Sequence, residues 1–232
     1  MKKVGGIFGV VAILACLIAA LPIVTAYAAE FGGTQSLRKG SWEIIFSPQY
    51  TLAKNLGFTG GTTAKIDDTF GFGAQIGYNL NDHWNLAGLF SWSQPDYQAV
   101  VQPAAGNSSP ARSISGTLQT STFAVAATYH VLPGPLTPYV DANLGGTYVN
   151  TDIAAGPPVA GCFWDPWYGY ICGATQPTKS DTFLSYGAGG GLRWDVNHLL
   201  ILRASVRQQW IDFSHTGTPS FTMFKLDFGY KF

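Results

Sequence analysis

From Trp42 to the C-terminal Phe232, apolar and polar residues alternate over segments separated by turn formers. A period of two marks strands whose faces meet different surroundings. The pattern predicts eight strands: Trp42–Tyr50, Thr69–Leu80, Trp84–Ser93, Thr117–Val131, Pro138–Asn150, Thr182–Asp195, Leu199–Ile211 and Phe221–Phe232. The connections Asn81–His83, Leu132–Thr137 and Val196–His198 are short. Those at 51–68, 94–116, 151–181 and 212–220 are longer and enriched in Gly, Pro, Ser and Thr. Short and long connections in alternation describe an up-and-down antiparallel meander with both termini on the short-turn side.

The last strand assigns the faces. Phe224, Leu226, Phe228, Tyr230 and Phe232 share one side, and Lys225, Asp227, Gly229 and Lys231 the other. The segment Leu199–Ile211 repeats the split, with Leu200, Leu202, Ala204, Val206 and Trp210 opposite Arg203, Ser205, Arg207 and Gln209. Aromatics gather at both strand ends: Trp42, Tyr78, Trp84, Tyr129, Trp194, Tyr230 and Phe232 toward the short turns, and Tyr50, Phe70, Trp92, Tyr148 and Trp210 toward the long loops. Two aromatic bands flanking an apolar outer face are expected of a membrane barrel. A soluble sandwich or lipocalin-like barrel would place its aromatics inside and its charges outside.

Composition sharpens this. Charged residues make up 11% of the 232 and aromatics 14%, with 28 glycines. Soluble domains carry about a quarter charged residues, so much of this surface faces something other than water. Beyond residue 30 no apolar run is long enough for a membrane helix, whereas barrel strands need only about ten alternating residues. The expected fold is all-β: a transmembrane antiparallel up-and-down barrel of eight strands, preceded by a signal peptide. Thirteen basic and thirteen acidic side chains balance, which gives no reason to expect a nucleic-acid partner.

Lys2 and Lys3 precede an uncharged stretch over 4–29 that contains Pro22 and ends in the small-residue triplet Ala26-Tyr27-Ala28. This reads as a secretory leader, residues 1–28, with residues 29–232 forming the barrel domain. An uncleaved anchor, or a lipoprotein signal using Ile13-Leu14-Ala15-Cys16, are the alternatives. Removing the leader leaves Cys162 and Cys172, a close pair expected to form a disulfide in an oxidising compartment. The nine residues between them hold no other thiol and no histidine, and the four histidines of the chain are scattered. No metal set and no cofactor is expected.

The C-terminal run Phe224-Lys225-Leu226-Asp227-Phe228-Gly229-Tyr230-Lys231-Phe232 resembles the last strand of bacterial outer-membrane β-barrel proteins, and Gly77–Trp84 resembles their strand-turn-strand signature. Residues 40–232 are similar to small eight-stranded barrels of the OmpA/OmpX and OmpW kind. The resemblance implies an outer-membrane location, contact with membrane lipid and lipopolysaccharide, and a final Phe232 read by the barrel-assembly machinery. No peptidoglycan-binding domain is expected. A monomer is expected.

Eight strands enclose little more than side chains. The expected lumen-lining polar residues are Glu43, Asp141, Arg193, Arg203, Arg207, Lys225 and Asp227, with Asp195 and Lys231 nearby. They form either a structural plug or the wall of a narrow passage for small solutes. The inward glycines of the second and sixth strands and Gly145 leave room for a channel, or serve curvature. Resemblance to the OmpW kind implies small hydrophobic solutes and an apolar pocket near the loop end of the lumen. A second class is a surface binding or adhesion protein acting through 151–181, which carries Phe163, Trp164, Trp167, Tyr168 and Tyr170. A third is a lipid A-modifying enzyme. Phe213-Ser214-His215 is only a partial match to a deacylase motif, and no Ser-His-Asp order is present, so no catalytic residue is assigned.

Overall fold

The computed structural model describes residues 36–57, 63–101, 110, 112–157, 159–167, 169–175, 178–213 and 217–232. Thirteen strands form among them: β1 (Trp42–Thr51), β2 (Lys54–Gly57), β3 (Thr63–Ile66), β4 (Thr69–Asn79), β5 (Trp84–Ser93), β6 (Asp96–Val101), β7 (Arg112–His130), β8 (Leu136–Ala154), β9 (Val159–Asp165), β10 (Gly169–Thr175), β11 (Thr178–Asp195), β12 (Leu200–Ile211) and β13 (Ser220–Lys231). The expected leader, Tyr168 and the Ser214-His215 pair lie outside the described residues.

Eight of the strands close a ring in the order β1-β4-β5-β7-β8-β11-β12-β13, each antiparallel to its neighbours, with β13 returning to β1. Closure leaves no sheet edge in lipid, where an unpaired backbone N–H or C=O costs several kcal/mol. The seam between first and last strand keeps one register from Glu43↔Lys231 to Thr51↔Met223. Its pairing lapses around Pro48, which has no N–H to give.

Burial alternates along the strands as the apolar pattern requires. In β13, Phe224, Leu226, Phe228 and Tyr230 face out while Lys225, Asp227, Gly229 and Lys231 are buried. The aromatic bands form as contacts on the outer surface. Toward the short turns Trp42 meets Tyr78 at 5.1 Å between ring centroids, and Trp84 meets Tyr129 at 5.1 Å. Toward the loops Tyr50 meets Phe70 at 4.9 Å, and Tyr186 stacks on Trp210 at 5.6 Å. Two short turns are closed by asparagine: Asn81 Oδ1 accepts from the N–H of His83 and Trp84, and Asn197 Oδ1 from those of Leu199 and Leu200, all at 2.8 Å. This is the local chemistry that makes asparagine a turn former.

The long connections depart from expectation. Segments 51–68, 94–116 and 151–181, read from composition as loops, contain β2, β3, β6, β9 and β10, and also the outward extensions of β7, β8 and β11. β2, β3 and β6 pair in series onto the Arg112–Thr117 part of β7, continuing the wall beyond the membrane. Ser, Thr and Gly dilute the apolar alternation there, because neither face of these strands meets lipid. β-branched residues such as Val100, Ile114 and Thr117 still favour extended backbone. Across the extension, Asp152 accepts hydrogen bonds from the Thr117 N–H (3.0 Å) and hydroxyl. These bonds hold the Asp152 carboxyl below the usual carboxylate range.

Candidate functional site

All seven expected lumen residues, Glu43, Asp141, Arg193, Arg203, Arg207, Lys225 and Asp227, are buried inside the ring. They are stacked in layers from the short-turn end outward. Inward position follows from strand parity, and β11, β12, β13, β1 and β8 supply the charges.

The lowest layer centres on Arg38, a residue that the strand pattern did not reveal because it precedes β1. Its guanidinium donates to Asp195 Oδ2 (2.9 Å) and to the backbone carbonyls of Asp82 (2.9 Å), Leu132 (3.0 Å) and Gly134 (2.5 Å). One side chain thus ties two short turns to the end of β11. Lys231 Nζ donates to the Leu37 carbonyl at 2.7 Å, anchoring the same segment to the C-terminal strand. The available signal was a basic pair, Arg38 and Lys39, shortly before the first strand.

Above it, Arg193 bridges Glu43 (Nη1 to Oε2, 2.9 Å) and Asp195 (Nη2 to Oδ1, 2.9 Å). Asn79 and Asn85 donate to the two Glu43 oxygens at 3.2 and 3.1 Å. Arg193 Nη1 also lies 3.3 Å from His130 Nε2. His130, the last residue of β7 before a short turn, is fully buried in the lumen. It follows the outward Tyr129 by one residue, and the period of two turns it inward. Asn79, Asn85 and His130 were all legible from parity, but their lack of charge drew no attention to them.

The third layer pairs Arg203 Nε with Asp227 Oδ2 at 2.9 Å, with Gln75 Oε1 accepting from Arg203 Nη2 at 3.2 Å. The Arg203 guanidinium lies 5.4 Å from the Tyr139 ring centroid, within cation–π range. In the fourth layer Arg207 pairs with Asp141. Side chains therefore occupy the short-turn half of the lumen. Gly73 of β4 borders a cavity in the upper lumen, whereas the inward glycines of β11, Gly187, Gly189 and Gly191, stand in filled space. A Cβ at Gly189 would stand 2.8 Å from the Val206 carbonyl and 2.9 Å from Asp141 Oδ1. These positions are glycine because strands and plug side chains already fill the space.

Above the fourth layer the lumen opens. A cavity of about 80 Å³ is bounded by Gln75, Gln209, Arg207 and Lys225 below and by Leu118, Val149 and Phe213 above. It shares Ile66, Leu118, Val149 and Phe213 with a vestibule of about 1000 Å³ at the extracellular mouth. The vestibule has an apolar interior, including Tyr97, Ile153 and Phe183, and charges from Lys54, Lys179 and Asp181.

The second feature outside the membrane is the β9–β10 hairpin. Cys162 and Cys172 are directly opposed in its register and joined by a disulfide. Trp164 is 62% exposed, Trp167 88% and Tyr170 79%. Phe232, at the other end of the molecule, is exposed on the outer surface while its backbone exchanges both hydrogen bonds with Trp42, at 2.8 and 2.9 Å.

Among solved structures the chain is similar to Neisserial surface protein A, at 15% identity over 83% of this chain and 98% of that one, with a TM-score of 0.51. It also matches Ail, the attachment invasion locus protein of Yersinia pestis (15% identity, 84% and 99% coverage, TM-score 0.49). A third match is the outer membrane protein OprG of Pseudomonas aeruginosa (14%, 84% and 97%, 0.48). At such identity the first of these speaks for the fold alone. A comparison with curated protein sequences found no match. Residues 13–232 match the family model described as "Outer membrane protein beta-barrel domain". The chain belongs to that family, and its eight-stranded ring is an integral barrel of the bacterial outer membrane.

Proposed function

We propose that the protein takes small apolar solutes into its extracellular vestibule and holds them above a closed lumen. The observation that carries this reading is the continuity of an apolar vestibule of about 1000 Å³ with the upper lumen, above layers of buried ion pairs. An apolar pocket with a few polar groups is the usual form of a small-molecule site. Ala64 and Ala99 line the vestibule, so Ala64→Trp and Ala99→Trp fill it without touching the plug. A fluorescent apolar probe such as N-phenylnaphthylamine is expected to bind the protein in nanodiscs and to bind each variant at least tenfold more weakly. In planar bilayers no steady conductance is expected. Unchanged probe binding in both variants, or a persistent open channel, would sink the proposal.

A second reading rests on the hairpin. Exposed Trp and Tyr side chains on a cross-linked two-stranded scaffold suit recognition of another surface, including the lipopolysaccharide layer. Deleting 160–173 is expected to abolish binding to host-cell or lipopolysaccharide surfaces while heat-modifiability shows the barrel still folded. Retained binding removes this role from the hairpin.

We also read the protein as an exported, non-enzymatic barrel matured by cleavage after Ala28. Mass spectrometry of the membrane-extracted protein should give Ala29 as its first residue, and lipid A from the same cells should keep its acyl chains. An intact leader or deacylated lipid A would overturn the respective part.

A further inference from the structure

We propose that the upper-lumen cavity is a binding site for a small anionic head group, so that the solute of this barrel is a short amphipathic carboxylate. The inference rests on the apolar-solute reading for the tail and on a separate set of residues for the head. Gln75, Gln209, Arg207 and Lys225 line the cavity and are each 8% exposed or less. Three of their nitrogens, Gln75 Nε2, Gln209 Nε2 and Arg207 Nε, are buried with no hydrogen-bond partner. Buried donors left unmade cost about 1–3 kcal/mol each, so three of them on one cavity wall mark a place where an acceptor would be held. The Gln75 amide is oriented by its Oε1, which accepts from Arg203. That contact leaves its Nε2 as the free end.

Charge makes the same case. Around the cavity Arg203, Arg207 and Lys225 face Asp141 and Asp227. Arg203 engages Asp227 Oδ2 at 2.9 Å and Arg207 engages Asp141, whereas Lys225 Nζ stands 3.8 Å from Asp227 Oδ1, beyond hydrogen-bond distance. Asp67, at the upper edge of the cavity, is matched by Lys65. Three cations thus share two carboxylates, and the described residues of the lumen repeat the excess. Arg38, Arg193, Arg203, Arg207, Lys225 and Lys231 are buried against Glu43, Asp141, Asp195 and Asp227, six against four. Water would satisfy the amide donors but would not neutralise Lys225 in a low-dielectric interior. A carboxylate does both, accepting several N–H bonds while supplying the missing charge. The cavity, at about 80 Å³, holds a head group but no long chain, and the chain has the vestibule directly above it.

Calorimetric titration of the nanodisc-embedded protein with hexanoate and with hexanol separates head from tail. Hexanoate is expected to bind at least tenfold more tightly than hexanol. Lys225→Met should bring hexanoate down to the hexanol level and leave hexanol unchanged, while Ala64→Trp should weaken both alike. Gln209→Leu, a milder change at the same cavity, should lower hexanoate affinity severalfold and serves if Lys225→Met does not fold. Equal affinity of the two ligands for the unmodified protein would overturn the head-group site and leave the vestibule reading standing. Binding of neither would overturn both. A hexanoate preference that survives both substitutions would also overturn the site.

Discussion

Replacing Arg193 by alanine is expected to lower the unfolding free energy by about 3–5 kcal/mol, the cost of removing one partner from a buried ion network. Arg193 is fully buried between Glu43 and Asp195, and its loss leaves Glu43 hydrogen-bonded to the amides of Asn79 and Asn85 with no ion pair among the described residues. Asp195 fares better, because Arg38 remains bonded to it at 2.9 Å and Lys231 lies 3.6 Å away. This asymmetry gives a second expectation. The double variant Arg193→Met, Glu43→Leu should recover most of the loss, since it removes both unmatched groups and fills the space with apolar atoms. Urea unfolding in lipid vesicles, followed by tryptophan emission, measures both. A loss below about 1 kcal/mol for Arg193→Ala, the size seen for exposed pairs, would show that water reaches this layer and that the plug is not sealed.

The parts of this molecule that were legible from sequence share one cause. The bilayer imposes a period of two on every spanning strand, so Phe224 through Phe232, or Leu200 through Gln209, declare both their conformation and their facing. The same parity placed Glu43, Arg193 and Asp227 in the lumen. It did not say which charges pair, because partners such as Arg207 and Asp141 are 66 residues apart and meet only through closure of the ring. Arg38 was beyond reach for a different reason. It lies in no strand, and its role is set by three carbonyls from two turns that come together only in the folded barrel. The extracellular extensions were hidden because the constraint that makes parity visible ends where the membrane does. Beyond it, strands such as Asp96–Val101 are held by backbone pairing and turn only small or isolated apolar groups, Tyr97 and Ala99, to the vestibule.

Membrane depth can be tested by substitution along one face of one strand. Leu144, on β8, is 59% exposed, sits opposite Val125 of β7 in register and belongs to the lipid-facing set. Tyr148, four residues or two pleat repeats further out on the same face, belongs to the outer aromatic band. Leu144→Arg is expected to cost about 2–4 kcal/mol of folding free energy, and Tyr148→Arg only about 0–1 kcal/mol, as the guanidinium moves from the midplane toward the interface. The lumen network plays no part in either change, because both side chains point away from it. The difference between the two variants therefore reports the position of the hydrocarbon layer relative to the plug. If Tyr148→Arg proved as costly as Leu144→Arg, the apolar band would extend further outward than the aromatic band implies. The vestibule floor would then lie within the membrane's depth rather than above it.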